Sequence, residues 1–202
     1  MTSSVDVPSK AAVREMFILA LLYLPLGFFL WFIAASPLMF PVGRLVDVLL
    51  TGFFGDVFEQ IVQLGFHLEI QTLVRVQHPT QEGIGALDLM VNPMIYAWGM
   101  ALLFGLVMAT PLSVKARVIQ LLISFLVITL VTTWGVFWHV LADLAFRAGP
   151  EAAAAARGLG MPMEMIALSY QLGYLMLPAV VPVATWILLN RAFIEQHVLR
   201  HE

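Results

Sequence analysis

The chain has 202 residues, of which 61% are hydrophobic and 11% charged, with a formal net charge of −3, five histidines and no cysteine. A soluble domain carries about 25% charged residues, so these values, with a mean hydropathy of +0.92, describe one membrane domain with small extramembrane elaborations. The absence of cysteine excludes disulfides, cysteine-ligated zinc, iron–sulfur clusters and any thiol nucleophile, and with no basic run there is no nucleic-acid signature.

Residues 17–39 form the first long apolar stretch, behind Lys10 and Arg14. It is too long for the apolar core of a secretion signal, and Pro37 follows the small residues Ala34, Ala35 and Ser36, so it is read as an uncleaved transmembrane helix. Pro37 and Pro41 end that helix. From 42 to about 66 the pattern is helical. Arg44, Asp47, Asp56 and Glu59 interrupt an apolar face containing Leu45, Leu49, Phe53, Val57 and Ile61, which predicts a helix at the membrane surface or packed on the bundle. The period then changes to two. Residues 67–77 alternate except at Leu73 and Val74, residues 78–83 carry turn chemistry, and residues 86–91 alternate again. This predicts a β-hairpin outside the membrane, which needs a cover for its apolar face. The amphipathic helix and hairpin together occupy 42–91.

Three more apolar stretches follow, at 94–114, 118–141 and 165–189. Each reaches the roughly 20 residues needed to cross about 30 Å of hydrocarbon. Asn92-Pro93 starts the second span. The loop at 142–163 carries Gly149-Pro150 and a short alanine-rich helix, and Pro178 and Pro182 kink the last span. The fold class expected is therefore an all-α integral membrane protein of four transmembrane helices, with the surface helix and small hairpin between helices 1 and 2. The short loop with Lys115 and Arg117, together with Lys10, Arg14, Arg191 and Arg200, places both termini in the cytoplasm by the positive-inside rule. The opposite side holds Arg44, Arg75, Arg147 and Arg157 against nine acids, and in a bacterial inner membrane it faces the periplasm.

His139 and Asp143 share a helix face near the external end of the third span, with Trp134 and Trp138 beside them. One reading is a proton-handling or metal-ligating pair, joined in space by Glu164. The plainer reading is an interfacial ion pair within an aromatic belt, with Glu164 stabilising a helix N-terminus. Tyr170, Gln171 and Tyr174 form a polar stripe on the fourth helix, expected to face the bundle interior. These six residues are the candidate partner-contact cluster. Tyr96 and Trp98 read as interface anchors. Met161, Met163 and Met165 read as packing residues rather than copper ligands. His67 with His78, and His197 with His201, are too few for a convincing metal site. No zinc-protease, phosphate-loop or nucleophile-elbow motif is present, so no catalytic residue, metal or cofactor is expected.

Val91-Asn-Pro-Met-Ile-Tyr96 with Gly99, and Glu164-Met-Ile-Ala-Leu-Ser-Tyr-Gln-Leu-Gly-Tyr174 followed by Leu177-Pro178, Pro182, Trp186 and Asn190-Arg-Ala-Phe193, carry a likeness over nearly the whole chain. With the four spans and hairpin, the chain resembles the exosortase H-associated membrane protein family. The resemblance implies an accessory role beside exosortase H, a multispan enzyme that processes proteins bearing C-terminal sorting signals. Exosortases are thought to use a Cys–Arg–His constellation, and a chain without cysteine is not that enzyme. The expected function is a non-catalytic accessory or assembly protein whose partners are the lipid bilayer and another multispan membrane protein. Two alternatives stay open: a small structural subunit of an unrelated respiratory or oxygenase-type complex, and a metal-binding or enzymatic protein using His139, Asp143 and Glu164.

Overall fold

The computed structural model describes residues 9–77 and 84–195. The turn at 78–83, with His78, and the tail residues His197, Arg200 and His201 lie outside the described residues.

Helix α1 spans Ser9–Ile33 and α2 spans Ala35–Phe54. Pro37 has no N–H to donate to the carbonyl one turn earlier, and the chain breaks at Ala34. The first predicted span, 17–39, thus ends six residues early, at Ile33. Helix α2 buries Met39, Val42, Gly43, Val46 and Leu50 on one face. The helix predicted from 42 to about 66 stops at Phe54, and strand β1 takes over at Phe58–Leu64. The strands that follow are β2 at His67–Gln77, which pairs with β1, and β3 at Ile84–Val91, which pairs with β2. The sheet is an antiparallel meander in the order β1-β2-β3, so the predicted hairpin is present and gains a third strand.

Leu64 pairs with His67 across the two-residue turn Gly65–Phe66, where Gly65 takes φ 67°. Between Gln71 and Arg75 the register of β2 shifts against β3. Thr72 stabilises this bulge, donating its hydroxyl to the Leu87 carbonyl at 2.6 Å and accepting from the Val74 N–H. The Leu73-Val74 irregularity in the alternation is this bulge.

After Asn92-Pro93 come α3 (Met94–Ala97), which packs on α5, and α4 (Gly99–Ala109), which runs back along α1. Small residues permit close approach: a Cβ on Gly27 would lie 2.8 Å from the Ala101 carbonyl oxygen, and one on Gly105 2.6 Å from Leu24. Thr110 is extended because Pro111 follows, which ends α4 short of the predicted residue 114. Helix α5, Val114–Phe146, is 33 residues long. At 1.5 Å per residue it measures about 50 Å, roughly 20 Å more than a hydrocarbon core. Its second half buries Val136, Val140, Leu141 and Leu144 in one core with Leu68, Ile70, Val91 and the inner face of α2. The alanine-rich α6 (Pro150–Gly158) closes this core with Ala152 and Ala156.

The last apolar segment comprises α7 (Met163–Gln171), a π turn (Leu172–Met176), α8 (Leu177–Leu189) and the short α9 (Arg191–Ile194). Pro178 and Pro182 cannot donate to the carbonyls behind them, and the π turn lies directly before the first of them. Among the described residues four helical segments are long and apolar enough to cross a membrane: Arg14–Ile33, Ala35–Phe54, Val114–Phe146 and Met163–Leu189. The set differs from the predicted one, because α2 qualifies and Met94–Ala109 is shorter than a full span.

Candidate functional site

Helix α5 presents His139 and Asp143 four residues apart on one face, and Arg147, which caps its C-terminal end, continues the spacing. His139 Nε2 lies 3.2 Å from Asp143 Oδ2, and Arg147 donates to Asp143 Oδ1 at 2.6 Å. On its other side His139 Nδ1 meets the Tyr96 hydroxyl at 2.8 Å. A carboxylate only accepts, so the pattern assigns the His139 proton to Nε2, leaving Nδ1 to accept from Tyr96. Neutral histidine satisfies both contacts.

Glycine sets this geometry. A Cβ on Gly135 would strike the Tyr96 ring, and one on Gly173 would lie 3.2 Å from Gly135 Cα. The missing side chains let the α3 tyrosine lie flat against α5 while the π turn of the last segment closes from the far side. The Tyr96 ring meets Tyr174 edge-on, Tyr170 stacks on Tyr174 at 5.9 Å, and Tyr170 meets the His139 ring edge-on. Arg147 covers the Tyr170 ring at 5.1 Å and donates to its hydroxyl at 3.2 Å. Hydrogen bonds to Tyr170 and then to Asp143 push the guanidinium pKa upward, so the cation persists at any working pH.

Of the six predicted residues, His139, Asp143, Tyr170 and Tyr174 come together. Glu164 and Gln171 do not join them, and both are exposed. Among the described residues no group of three or more His, Asp or Glu side chains is arranged to hold a metal. Tyr96, read from sequence as an interface anchor, is fully buried and is the central ring of the cluster. Its position at the start of a span gave no sign of this. The paired glycine signal lay in Gly135 and Gly173, which are small residues in otherwise bulky helices. Trp134 is drawn to the last segment by its N–H, which donates to the Ser169 carbonyl at 3.3 Å.

Chemically, the cluster has an enclosed centre, Tyr96 with His139, and an exposed margin, Tyr174 and Arg147. The one hydroxyl placed to exchange a proton with His139 belongs to a side chain with 0% exposure, and both carboxylate oxygens of Asp143 are engaged. The arrangement ties α3, α5 and α7 together at the sheet end of the bundle.

A second polar tie sits at the opposite end. Gln120 and Asn190 exchange side-chain hydrogen bonds at 3.0 and 3.1 Å, Asn190 also donates to the Trp186 carbonyl, and Trp186 donates to the Thr110 hydroxyl at 3.0 Å. Sequence reading did not connect these residues, although a buried Gln and Asn in apolar helices were a usable signal. This end gathers the start of α1, the 110–113 turn and the end of α8.

No curated protein and no solved structure matches the chain. The family of exosortase H-associated membrane proteins matches residues 10–193, nearly the entire length, and the chain belongs to that family.

Proposed function

We propose that this family member is a non-catalytic accessory or assembly protein of an exosortase-type sorting system in the bacterial inner membrane. The observation that carries the reading is the cluster around His139. Tyr96, His139, Asp143, Arg147 and Tyr170 bond to one another in sequence and the Tyr96 ring is fully buried between helices, as in a structural tie rather than a substrate site. The metal or enzyme alternative required Glu164 beside His139 and Asp143, and Glu164 stands apart.

In this reading α1, α3–α4, the first half of α5 and α7–α8 lie in the membrane. Consecutive spans joined by one residue must lie side by side, whereas α1 packs along α4 and meets α2 near their junction. Helix α2 instead packs on β1 and on the second half of α5. It therefore belongs, with the sheet and α6, to a periplasmic cap. Arg14, Lys115, Arg117 and Arg191 then gather at the cytoplasmic end with both termini.

The test compares processing of a sorting-signal substrate by the exosortase-type enzyme in cells with and without this chain. The accessory reading expects processing to fall without it, and a His139→Ala variant to restore processing in proportion to its folded abundance. Processing unaffected by deletion would sink the reading. A His139→Ala variant that is fully folded, abundant and inactive would point to chemistry at the cluster.

A further inference from the structure

The two edges of the sheet are treated differently. On β1 the outer edge is closed, because α2 lies along it and Asp47 Oδ1 accepts from the Ile61 N–H at 2.9 Å. On β3 the outer edge is open. Among the described residues none of Ile84–Val91 makes a backbone hydrogen bond outside the ladder to β2. An eight-residue strand is about 27 Å of unpaired donors and acceptors. It has no proline and no lysine, and its single charge is Asp88; the one irregularity beside it is the bulge at Thr72 in β2. Ile84 and Met90 on its outer face are 75% and 56% exposed.

Charge indicates what fits there. Asp88 pairs with Gln71 in the ladder, and Glu69 pairs with Met90 one position along the same face. Neither acid has an ion-pair partner among the described residues. A second copy of the chain, paired over the full strand, would be centred at residue 87 or 88. That sets the two Asp88 carboxylates opposite or diagonal to each other, which is unfavourable. A strand with a cation opposite Asp88 meets the reverse condition.

We propose that β3 is a docking edge for an extended segment of another protein chain that carries a basic residue opposite Asp88, added to the sheet as a fourth strand. This is independent of which enzyme the protein accompanies. Failure to co-purify with an exosortase would leave edge binding intact, and failure of edge binding would leave co-purification intact.

The test uses the full chain in lipid nanodiscs and two synthetic nine-residue peptides of alternating valine and threonine, one with a central lysine and one with a central glutamate. Hydrogen exchange is followed at residues 84–91. The lysine peptide is expected to slow exchange there and to bind about two- to fivefold more tightly than the glutamate peptide. Asp88→Lys, at an exposed position, should invert that preference. Absence of protection at 84–91, or equal affinity for the two peptides, would overturn the proposal. Because the chain has no cysteine, thiols can be placed where each register of a second copy would set them opposite one another: Leu87→Cys for pairing centred at 87, and Ala86→Cys with Met90→Cys for pairing centred at 88. A covalent homodimer of either variant in membranes would assign the edge to a second copy and likewise overturn the proposal.

Discussion

Replacing Gly135 by alanine adds one methyl group at the most crowded point of the bundle. Its Cβ would occupy the space of the Tyr96 ring, which is itself pressed between α5 and the π turn by Tyr174 and His139. The ring cannot retreat without lengthening its 2.8 Å bond to His139. Overpacking of this kind costs about 1–3 kcal/mol. For a chain of this size that corresponds to a fall in Tm of roughly 2–12 °C, at about 2–4 °C per kcal/mol. The control is Gly52→Ala. Gly52 lies in α2, and a Cβ there meets nothing within 4 Å. Alanine at this position should stabilise by up to about 1 kcal/mol through helix propensity. The assay is thermal unfolding of both variants in one detergent. A cycle combining Gly135→Ala with Tyr96→Phe then asks whether the two costs overlap, as they must if the methyl group acts by displacing Tyr96. A Gly135→Ala protein as stable as the parent, or equal losses in the two glycine variants, would refute the packing argument.

Other substitutions test the ties separately. Tyr96→Phe leaves His139 Nδ1 without its donor in a part-buried setting and should cost about 1–3 kcal/mol by the same unfolding assay. Arg147→Met should cost about 1 kcal/mol or less, because its side chain is 53% exposed and solvent screens the pair. At the other end, Gln120→Leu or Asn190→Leu alone should each lose about 0.6–2 kcal/mol. The double variant should lose less than the sum of the two, since neither amide is then left unpaired. Asp47→Ala removes the acceptor for the Ile61 N–H, and hydrogen exchange at that amide should accelerate while β3 is unchanged.

Much of this fold was readable from local pattern. The apolar stretches marked four helical segments, the period-two stretch from 67 to 91 marked β2 and β3, and Gly149-Pro150 marked the start of α6. Strand β1 was not legible for a specific reason. Phe53, Val57, Ile61 and Leu64 recur at helical spacing, and the register shift between Phe58 and Gln60 breaks the alternation that would have identified a strand. Gly65, whose positive φ makes the turn, was the available clue. The length of α2 was hidden because Pro37 and Pro41 ordinarily end a helix. Pro37 here lies in the first turn, where a missing N–H costs little, and Pro41 lies inside α2 and forgoes the bond to the Pro37 carbonyl. At the site, the four-residue spacing on α5 revealed His139 and Asp143. Arg147 continues the same four-residue spacing and was a usable signal that sequence reading left aside. Tyr96 was not connected to them, because contacts between α3, α5 and the last segment depend on how close two helices come, and that distance is set by Gly135 and Gly173.

The central claim, that this protein accompanies a sorting enzyme, is tested most directly by affinity purification of the chain from its native membrane in mild detergent, with mass spectrometry of the proteins retained. The account predicts a multispan exosortase-type enzyme, or substrates bearing its sorting signal, at reproducible stoichiometry. Recovery of stoichiometric subunits of an unrelated membrane complex, with no exosortase-type enzyme, would contradict it.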